Sequence, residues 1–154
     1  MIRINIISRN KNWSRYINNP QNFFKTKISK FNKKFKKYKK KIVFFTLLLS
    51  DDIEIKNLNK KFRKKNKTTD ILSFPFYNKK DLKIKLKKEK EIYLGDIIIN
   101  FNKIENANSK SKFLSEFNKL WVHGLAHLLG YDHKKNSDFN KMIKFEKKIL
   151  SFIS

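Results

Sequence analysis

Residues 123–133 read His-Gly-Leu-Ala-His-Leu-Leu-Gly-Tyr-Asp-His and hold all three histidines of the 154-residue chain. On a helix, His123 and His127 lie one turn apart on the same face, with about 5–6 Å between their Cβ atoms. Gly130 can end that helix in a left-handed turn, which brings His133 back toward the same point. Three imidazoles that converge in this way form a metal site with one open position, as is typical of catalytic zinc.

The spacing of these histidines and of Gly130 matches the metzincin zinc-peptidase pattern H-E-x-x-H-x-x-G-x-x-H. The second position is Gly124 here, whereas the peptidases place their general-base Glu there. We therefore expect a metal site that does not carry out ordinary peptide hydrolysis. Two alternatives stay open, namely three unrelated histidines on a packed helix, or a purely structural metal whose fourth ligand comes from elsewhere in the chain.

The chain is strongly basic, with 38 Lys and Arg against 13 Asp and Glu and a net charge of +25. Such a charge attracts polyanions, so nucleic acid, mainly RNA, is the first partner to expect. The abundance of Lys, Asn, Ile and Phe is also typical of an AT-rich genome, which leaves an inert solvated surface as the alternative. Arginine is scarce, which makes Arg63 more noticeable.

Length and composition indicate one domain and a cytoplasmic setting. With 40% hydrophobic residues, we expect residues 1–154 to form a single domain with its own core. Cysteine is absent, which excludes disulfides and fits a reducing compartment. The longest apolar run, residues 42–49, is too short to span a bilayer, and the N-terminus lacks the apolar stretch of a signal peptide.

Periodic patterns predict four strands, at residues 2–7, 41–50, 69–75 and 93–100, and four helices, at residues 24–38, 52–65, 111–129 and 137–152. Asp51 or Asp52 can cap the second helix. We expect the charged residues 77–91 to form a mobile connection, with a hairpin extension through Ile84 and Leu86 as the alternative. Strands come mostly early and helices late, so we expect an α+β domain.

The third predicted helix places its histidines at the edge of an apolar stripe. The stripe consists of Phe113, Phe117, Leu120, Trp121, Leu125 and Leu128. His123 and His127 flank it, so we expect both rings to be half-buried, where they are held firmly while solvent still reaches them.

Four motifs together resemble one known family. They are Leu-Asn-Lys-Lys-Phe-Arg at 58–63, Thr-Asp-Ile-Leu-Ser-Phe-Pro at 69–75, Leu-Gly-Asp-Ile-Ile-Ile at 94–99 and the histidine stretch at 123–133. In this order, and over roughly residues 42–150, the sequence is similar to the bacterial YbeY family of metal-dependent endoribonucleases. The resemblance implies an α+β fold, with a small mixed sheet of about four strands surrounded by helices and a zincin-like metal helix.

The resemblance also implies site residues. His123, His127 and His133 match the zinc ligands of the family and would hold one Zn²⁺ ion. Arg63 matches the functional arginine beside the metal cleft, so Arg63 and His123 are the expected catalytic residues. Arg63 would grip a phosphate through two parallel hydrogen bonds. A salt bridge or a solvated helix end is the alternative for Arg63.

The implied activity is zinc-dependent cleavage of single-stranded RNA in 16S rRNA 3′-end maturation and ribosome quality control. The implied partners are the small ribosomal subunit, its ribosomal proteins and an assembly GTPase. Two other functions stay open, namely an rRNA-binding ribosome-assembly factor with a structural metal, and a zinc hydrolase of another substrate.

Three further residues have a possible role near the histidines. Asp132 either orients an imidazole or shapes the turn. Glu116, on nearly the same helix face as His123, could hold a water or a ligand, although a solvated side chain is the simpler reading. Tyr131 either contributes to the cleft or packs.

Overall fold

The structure is a computed structural model that describes residues 1–105 and 108–154. Its strands and α-helices are β1 (Ile2–Ser8), α1 (Pro20–Lys34), β2 (Ile42–Ser50), α2 (Asp52–Arg63), β3 (Ile71–Pro75), α3 (Lys79–Lys88), β4 (Glu91–Asn100), α4 (Lys110–Leu128) and α5 (Asn136–Ile153). Short 3₁₀ helices lie at Lys11–Arg15, Lys36–Tyr38 and Phe101–Lys103. The four predicted strands are all present, with ends within two residues of the expected positions.

The four strands form one mixed sheet in the order β1-β2-β4-β3. β1, β2 and β4 are parallel, whereas β3 is antiparallel to β4 and forms an edge of the sheet. Gly95 allows β3 to approach, because a Cβ atom at this position would lie 2.1 Å from the carbonyl oxygen of Phe74. The α+β fold with a mixed four-stranded sheet is therefore confirmed.

The main core lies between one face of the sheet and helices α1, α4 and α5. Alternate residues of β2 face this core. The core is strongly aromatic, because it contains two buried tryptophans and several buried phenylalanines. The largest fully buried side chains include Trp13, Phe24, Phe31, Phe45, Phe113, Phe117 and Trp121. α2 covers part of the opposite face through a smaller cluster of Ile55, Leu72 and Ile98. Across the described residues, the structure has no helix with the length and apolarity needed to cross a membrane.

Helix α1 lies four residues earlier than the sequence predicts. Asn19 caps it by accepting a hydrogen bond from the backbone N–H of Asn22, and Pro20 occupies the first helical turn, where it needs no donor. The helix ends at Lys34, and a 3₁₀ turn then keeps Tyr38 buried in the core. The single helix predicted at residues 24–38 is therefore divided between α1 and the 3₁₀ turn.

The prediction of a mobile connection or hairpin extension over residues 77–91 is wrong, because this segment contains helix α3. Asn78 caps the helix by accepting from the backbone N–H of Asp81, and Leu82 is buried in the main core. Leu86, four residues later, also packs against the core. Leu82 and Leu86 fit helical spacing as well as alternation, and burial of Leu82 favours the helix.

Candidate metal centre and its cleft

Helix α4 positions two of the three histidines. Ser109 caps its start, and the apolar stripe from Phe113 onward packs against the core. His123 and His127 lie beside that stripe and are both half-buried, as predicted. Gly124 faces the sheet, where an added Cβ atom would lie 2.8 Å from Cγ2 of Ile97. The position that carries Glu in the zinc peptidases therefore has no room for a side chain here.

The turn after α4 brings the third histidine to the other two. Gly130 has a left-handed φ of 83°. The backbone N–H of Gly130 donates to the carbonyl of His127 at 2.9 Å, and that of Tyr131 donates to the carbonyl of Ala126 at 3.0 Å. These hydrogen bonds end the helix and reverse the direction of the chain, as expected for a left-handed glycine just after a helix.

The three imidazole rings converge on one point. One nitrogen from each of His123, His127 and His133 lies within 4.8 Å of the others. The Nε2 atoms of His123 and His127 are 3.1 Å apart. The structure thus brings the three predicted ligands together, with His133 exposed and the other two half-buried.

The Nδ1 atoms of His123 and His127 have polar partners, and these contacts fix the direction in which the Nε2 atoms point. Nδ1 of His123 lies 2.8 Å from Oε1 of Glu146, and Nδ1 of His127 lies 3.2 Å from the carbonyl oxygen of Tyr131. A carbonyl oxygen and an ionised carboxylate only accept, so each Nδ1 carries the proton. With Nδ1 protonated in both rings, each Nε2 atom offers a lone pair, and a cation bound between the two atoms suits this arrangement. The donor set therefore fits a metal ion, and the outer bonds resemble those that orient metal-binding histidines.

The environment of His127 favours its neutral form. Burial lowers the pKa of His127, and the neighbouring His123 and His133 lower this pKa further. A neutral imidazole is the form that binds a metal ion.

The histidines form part of the wall of a cleft of about 960 Å³. Arg63, at the end of α2, lines the same cleft, together with Lys65, Lys79 and Lys134. Nη2 of Arg63 donates to the carbonyl oxygen of Ser73 at 2.9 Å, and its guanidinium lies 5.4 Å from the centre of the Phe74 ring. These contacts hold the side chain along β3 and leave further N–H donors for a phosphate.

The other three candidate residues, Asp132, Glu116 and Tyr131, have different contacts in the structure. The Asp132 carboxylate accepts the backbone N–H of His133 at 2.7 Å, which is the contact of a turn residue. This hydrogen bond is the main reason why the pKa of Asp132 is lowered. Glu116 forms an ion pair with Lys119 at 2.7 Å and is not among the described residues that line the cleft. Tyr131 does line the cleft, and it also stacks on Phe145.

Glu146 is a site residue that no motif of the sequence identifies. It lies on α5, beside the buried residues Met142 and Ile149, and its carboxylate contacts the outer nitrogen of His123. The only available signal was an acidic residue beside an apolar helical stripe in a chain with few acidic residues. That signal does not specify which histidine the carboxylate meets, because the contact depends on the packing of α5 against α4.

The fold and the site define a class: an α+β protein with a mixed four-stranded sheet and a three-histidine cleft at the end of a helix. The chain belongs to the Endoribonuclease YbeY family, whose model matches residues 7–154.

Two relatives and one solved structure match this chain over almost its full length. An Endoribonuclease YbeY of Pelagibacter ubique (strain HTCC1062) is 46% identical, over 99% of this chain and 97% of the relative. That of Wolbachia sp. subsp. Drosophila simulans (strain wRi) is 35% identical, over 98% of this chain and 94% of the relative. The solution structure of TM1509 from Thermotoga maritima matches with a TM-score of 0.54 at 25% identity, covering 98% of this chain and 90% of that chain.

Proposed function

We propose that this protein is a zinc-dependent endoribonuclease that cleaves single-stranded RNA and matures the 3′ end of 16S rRNA. The observation that carries the proposal is the convergence of three imidazoles, with the Nε2 atoms of His123 and His127 3.1 Å apart beside His133, in a cleft that Arg63 also lines. Membership of a family described as endoribonucleases supports RNA as the substrate.

Each residue has a distinct task in this proposal. His123, His127 and His133 would hold one zinc ion, which would supply Lewis-acid stabilisation of charge on a phosphoryl oxygen. Arg63 would bind an oxygen of the scissile phosphate through its remaining N–H donors and offset the charge that develops there. His123 is the ligand that Glu146 orients, so we assign it a catalytic role together with Arg63.

The cellular role follows from the substrate. Action on 16S rRNA, and in ribosome quality control, requires access to the small ribosomal subunit in the cytoplasm, and small-subunit proteins and an assembly GTPase are the proposed partners. The net charge of +25 suits a surface that approaches rRNA. The contact of Gly124 with Ile97 supports RNA over peptide as the substrate, because it leaves no place for the peptidase Glu.

One experiment tests the activity and the role of Arg63. The purified protein is incubated with end-labelled single-stranded RNA, with and without a chelator, beside the variants Arg63→Ala and Arg15→Ala. Arg15 is the matched control, because it is exposed and lies outside the cleft. We expect cleavage that the chelator abolishes and added zinc restores, and a loss of about 100-fold in Arg63→Ala alone.

The possible results separate the alternatives. Cleavage that persists with the chelator contradicts the metal assignment. Tight RNA binding without cleavage by the zinc-loaded protein supports the assembly factor with a structural metal instead. Equal losses in both arginine variants contradict the specific role of Arg63.

A further inference from the structure

A second cavity, of about 670 Å³, lies between the end of α1 and one side of α5. We call it the lysine groove, and it is defined by Lys34, Lys36, Lys37, Lys141, Lys144 and Lys148. All six side chains are exposed. No acidic residue occurs among the described residues that line the groove, so its walls carry a single sign of charge.

The lysines are arranged in two facing rows. Lys141, Lys144 and Lys148 are three and four residues apart on α5, so they share one helix face over about 10 Å. The row from α1 and its following 3₁₀ turn stands opposite. Asp138 contacts one of the six, Lys141, at 3.9 Å, an exposed pair that neutralises little charge.

Aromatic rings form the floor between the two rows. Phe35, Tyr131 and Phe145 line the groove together with the lysines. The rings of Tyr131 and Phe145 are stacked with centroids 4.7 Å apart, and those of Phe35 and Phe145 are 6.1 Å apart. A groove with cationic walls and aromatic rings matches single-stranded nucleic acid, which offers phosphates and flat bases together.

The groove adjoins the histidine cleft. Tyr131 lines both cavities, and it directly follows Gly130 in the turn that positions His133. A chain bound at the histidines therefore needs to pass only Tyr131 to reach the groove. Lys134 lies in the wall of the cleft, where it contacts the Asp132 carboxylate at 3.8 Å.

We propose that the lysine groove binds the backbone of single-stranded RNA that flanks the phosphate held at the three histidines. The inference rests on the proposed function, because it assigns a path to the substrate of that site. The groove contributes affinity for RNA longer than a few nucleotides and leaves the chemistry at the histidines unchanged. It holds phosphates through charge, so it contributes no sequence preference of its own.

The test compares two triple variants with equal loss of charge. The groove variant carries Lys34→Gln, Lys144→Gln and Lys148→Gln. The control variant carries Lys56→Gln, Lys83→Gln and Lys112→Gln. All six residues are exposed and lie on α-helices, and the control set lines neither the cleft nor the groove. Gln retains the helix propensity of Lys, so both variants are expected to fold.

Two measurements are made on the zinc-loaded proteins. Fluorescence anisotropy gives the affinity for single-stranded DNA of about 20 nucleotides, an uncut probe that covers more than one cavity, and for a trinucleotide. Cleavage of labelled RNA of the same length gives KM and kcat. For the groove variant we expect affinity for the long probe to fall about ten-fold, and the slope of log affinity against log salt to decrease by about 2. Its trinucleotide affinity, kcat and zinc content stay unchanged, and the control variant stays within two-fold of the parent.

The outcomes distinguish the groove from the proposed function. Equal losses in both variants, or a groove variant that binds the long probe like the parent, overturn the groove assignment. A parent that binds the long probe through the groove and cuts no RNA refutes the endoribonuclease proposal while the groove stands as a polyanion site. Groove-dependent binding to vesicles rich in phosphatidylserine, without any effect on nucleic acid, also overturns the proposal.

Discussion

Single contacts at His123 decide how this site is organised. The Nε2 atom of His123 faces His127, and its Nδ1 atom contacts the Glu146 carboxylate. This one ring therefore connects the cleft with helix α5. A carboxylate on the outer nitrogen fixes the ring orientation and raises the basicity of the nitrogen that faces the metal position. Glu146 therefore acts as a positioning residue through His123.

Removal of the Glu146 side chain is expected to weaken zinc binding. In Glu146→Ala, we expect zinc affinity to fall about 10–100-fold, because the outer nitrogen loses its acceptor. Glu146→Gln keeps an acceptor oxygen and recovers most of that loss. Competition with a chromophoric chelator measures both affinities.

The matched control for this measurement is Glu116→Ala. Glu116 contacts Lys119 on the exposed side of α4, so the change leaves zinc affinity as in the parent. An Ala variant at position 146 that binds zinc like the parent would show that the contact with His123 is incidental.

At the scale of elements, helix α3 shows how a short charged segment gains a fixed structure. Its ten residues have few apolar side chains, and an isolated helix of this length is unstable in water. Leu82 anchors it to the main core, and Lys85 reaches Glu89 one turn later at 2.6 Å. The helix in turn places Lys79 at the wall of the cleft.

A pair of truncations tests the anchoring of α3. Leu82→Ala removes a buried side chain and is expected to lower the free energy of unfolding by about 2–4 kcal/mol. Ile84→Ala is the control, because Ile84 is 41% exposed on the same helix and its loss changes stability little. Urea denaturation measures both, and equal small effects would indicate that α3 does not pack on the core.

The start of α2 gives a pH-dependent contribution to stability. The backbone N–H of Glu54 donates to the Asp51 carboxylate and is the main reason why the pKa of Asp51 is lowered from 3.8, with the side chain of Asn10 adding to this effect. A carboxyl whose pKa is lower in the folded state stabilises the protein above its unfolded pKa. This stabilisation is lost as the pH falls through the lower, folded value.

We therefore expect Asp51→Ala to lower the free energy of unfolding by about 1 kcal/mol at neutral pH, through loss of the helix cap. The difference between parent and variant should narrow as the pH falls below 3.8, the ordinary pKa of an aspartate side chain. Asp51→Asn retains the cap without the charge and is the control. Urea titrations across this pH range make the comparison, and a difference that stays constant with pH would contradict the charge argument.

At the scale of the whole molecule, the sequence predicts local arrangements well and distant ones poorly. The three histidines converge as expected because helix spacing and Gly130 act within residues 123–133. The contact of His123 with Glu146 joins residues 23 positions apart and depends on the packing of two helices. Helix α3 was missed because apolar residues at positions 82, 84 and 86 also alternate, and only the burial of Leu82 distinguishes the two patterns.

The position of β4 in the sheet also has a consequence for biosynthesis. β3 leaves the ribosome before β4, yet β4 separates it from β2, so β3 has no neighbour in the sheet until residues 91–100 have emerged. The carbonyl oxygen of Ser73, which accepts a hydrogen bond from Arg63, belongs to β3. A nascent chain therefore holds Arg63 in place only after residue 100 has emerged, and it lacks the third histidine until residue 133 has emerged. Under the proposed function, a nascent chain cannot cut the RNA around it before residue 133 has emerged.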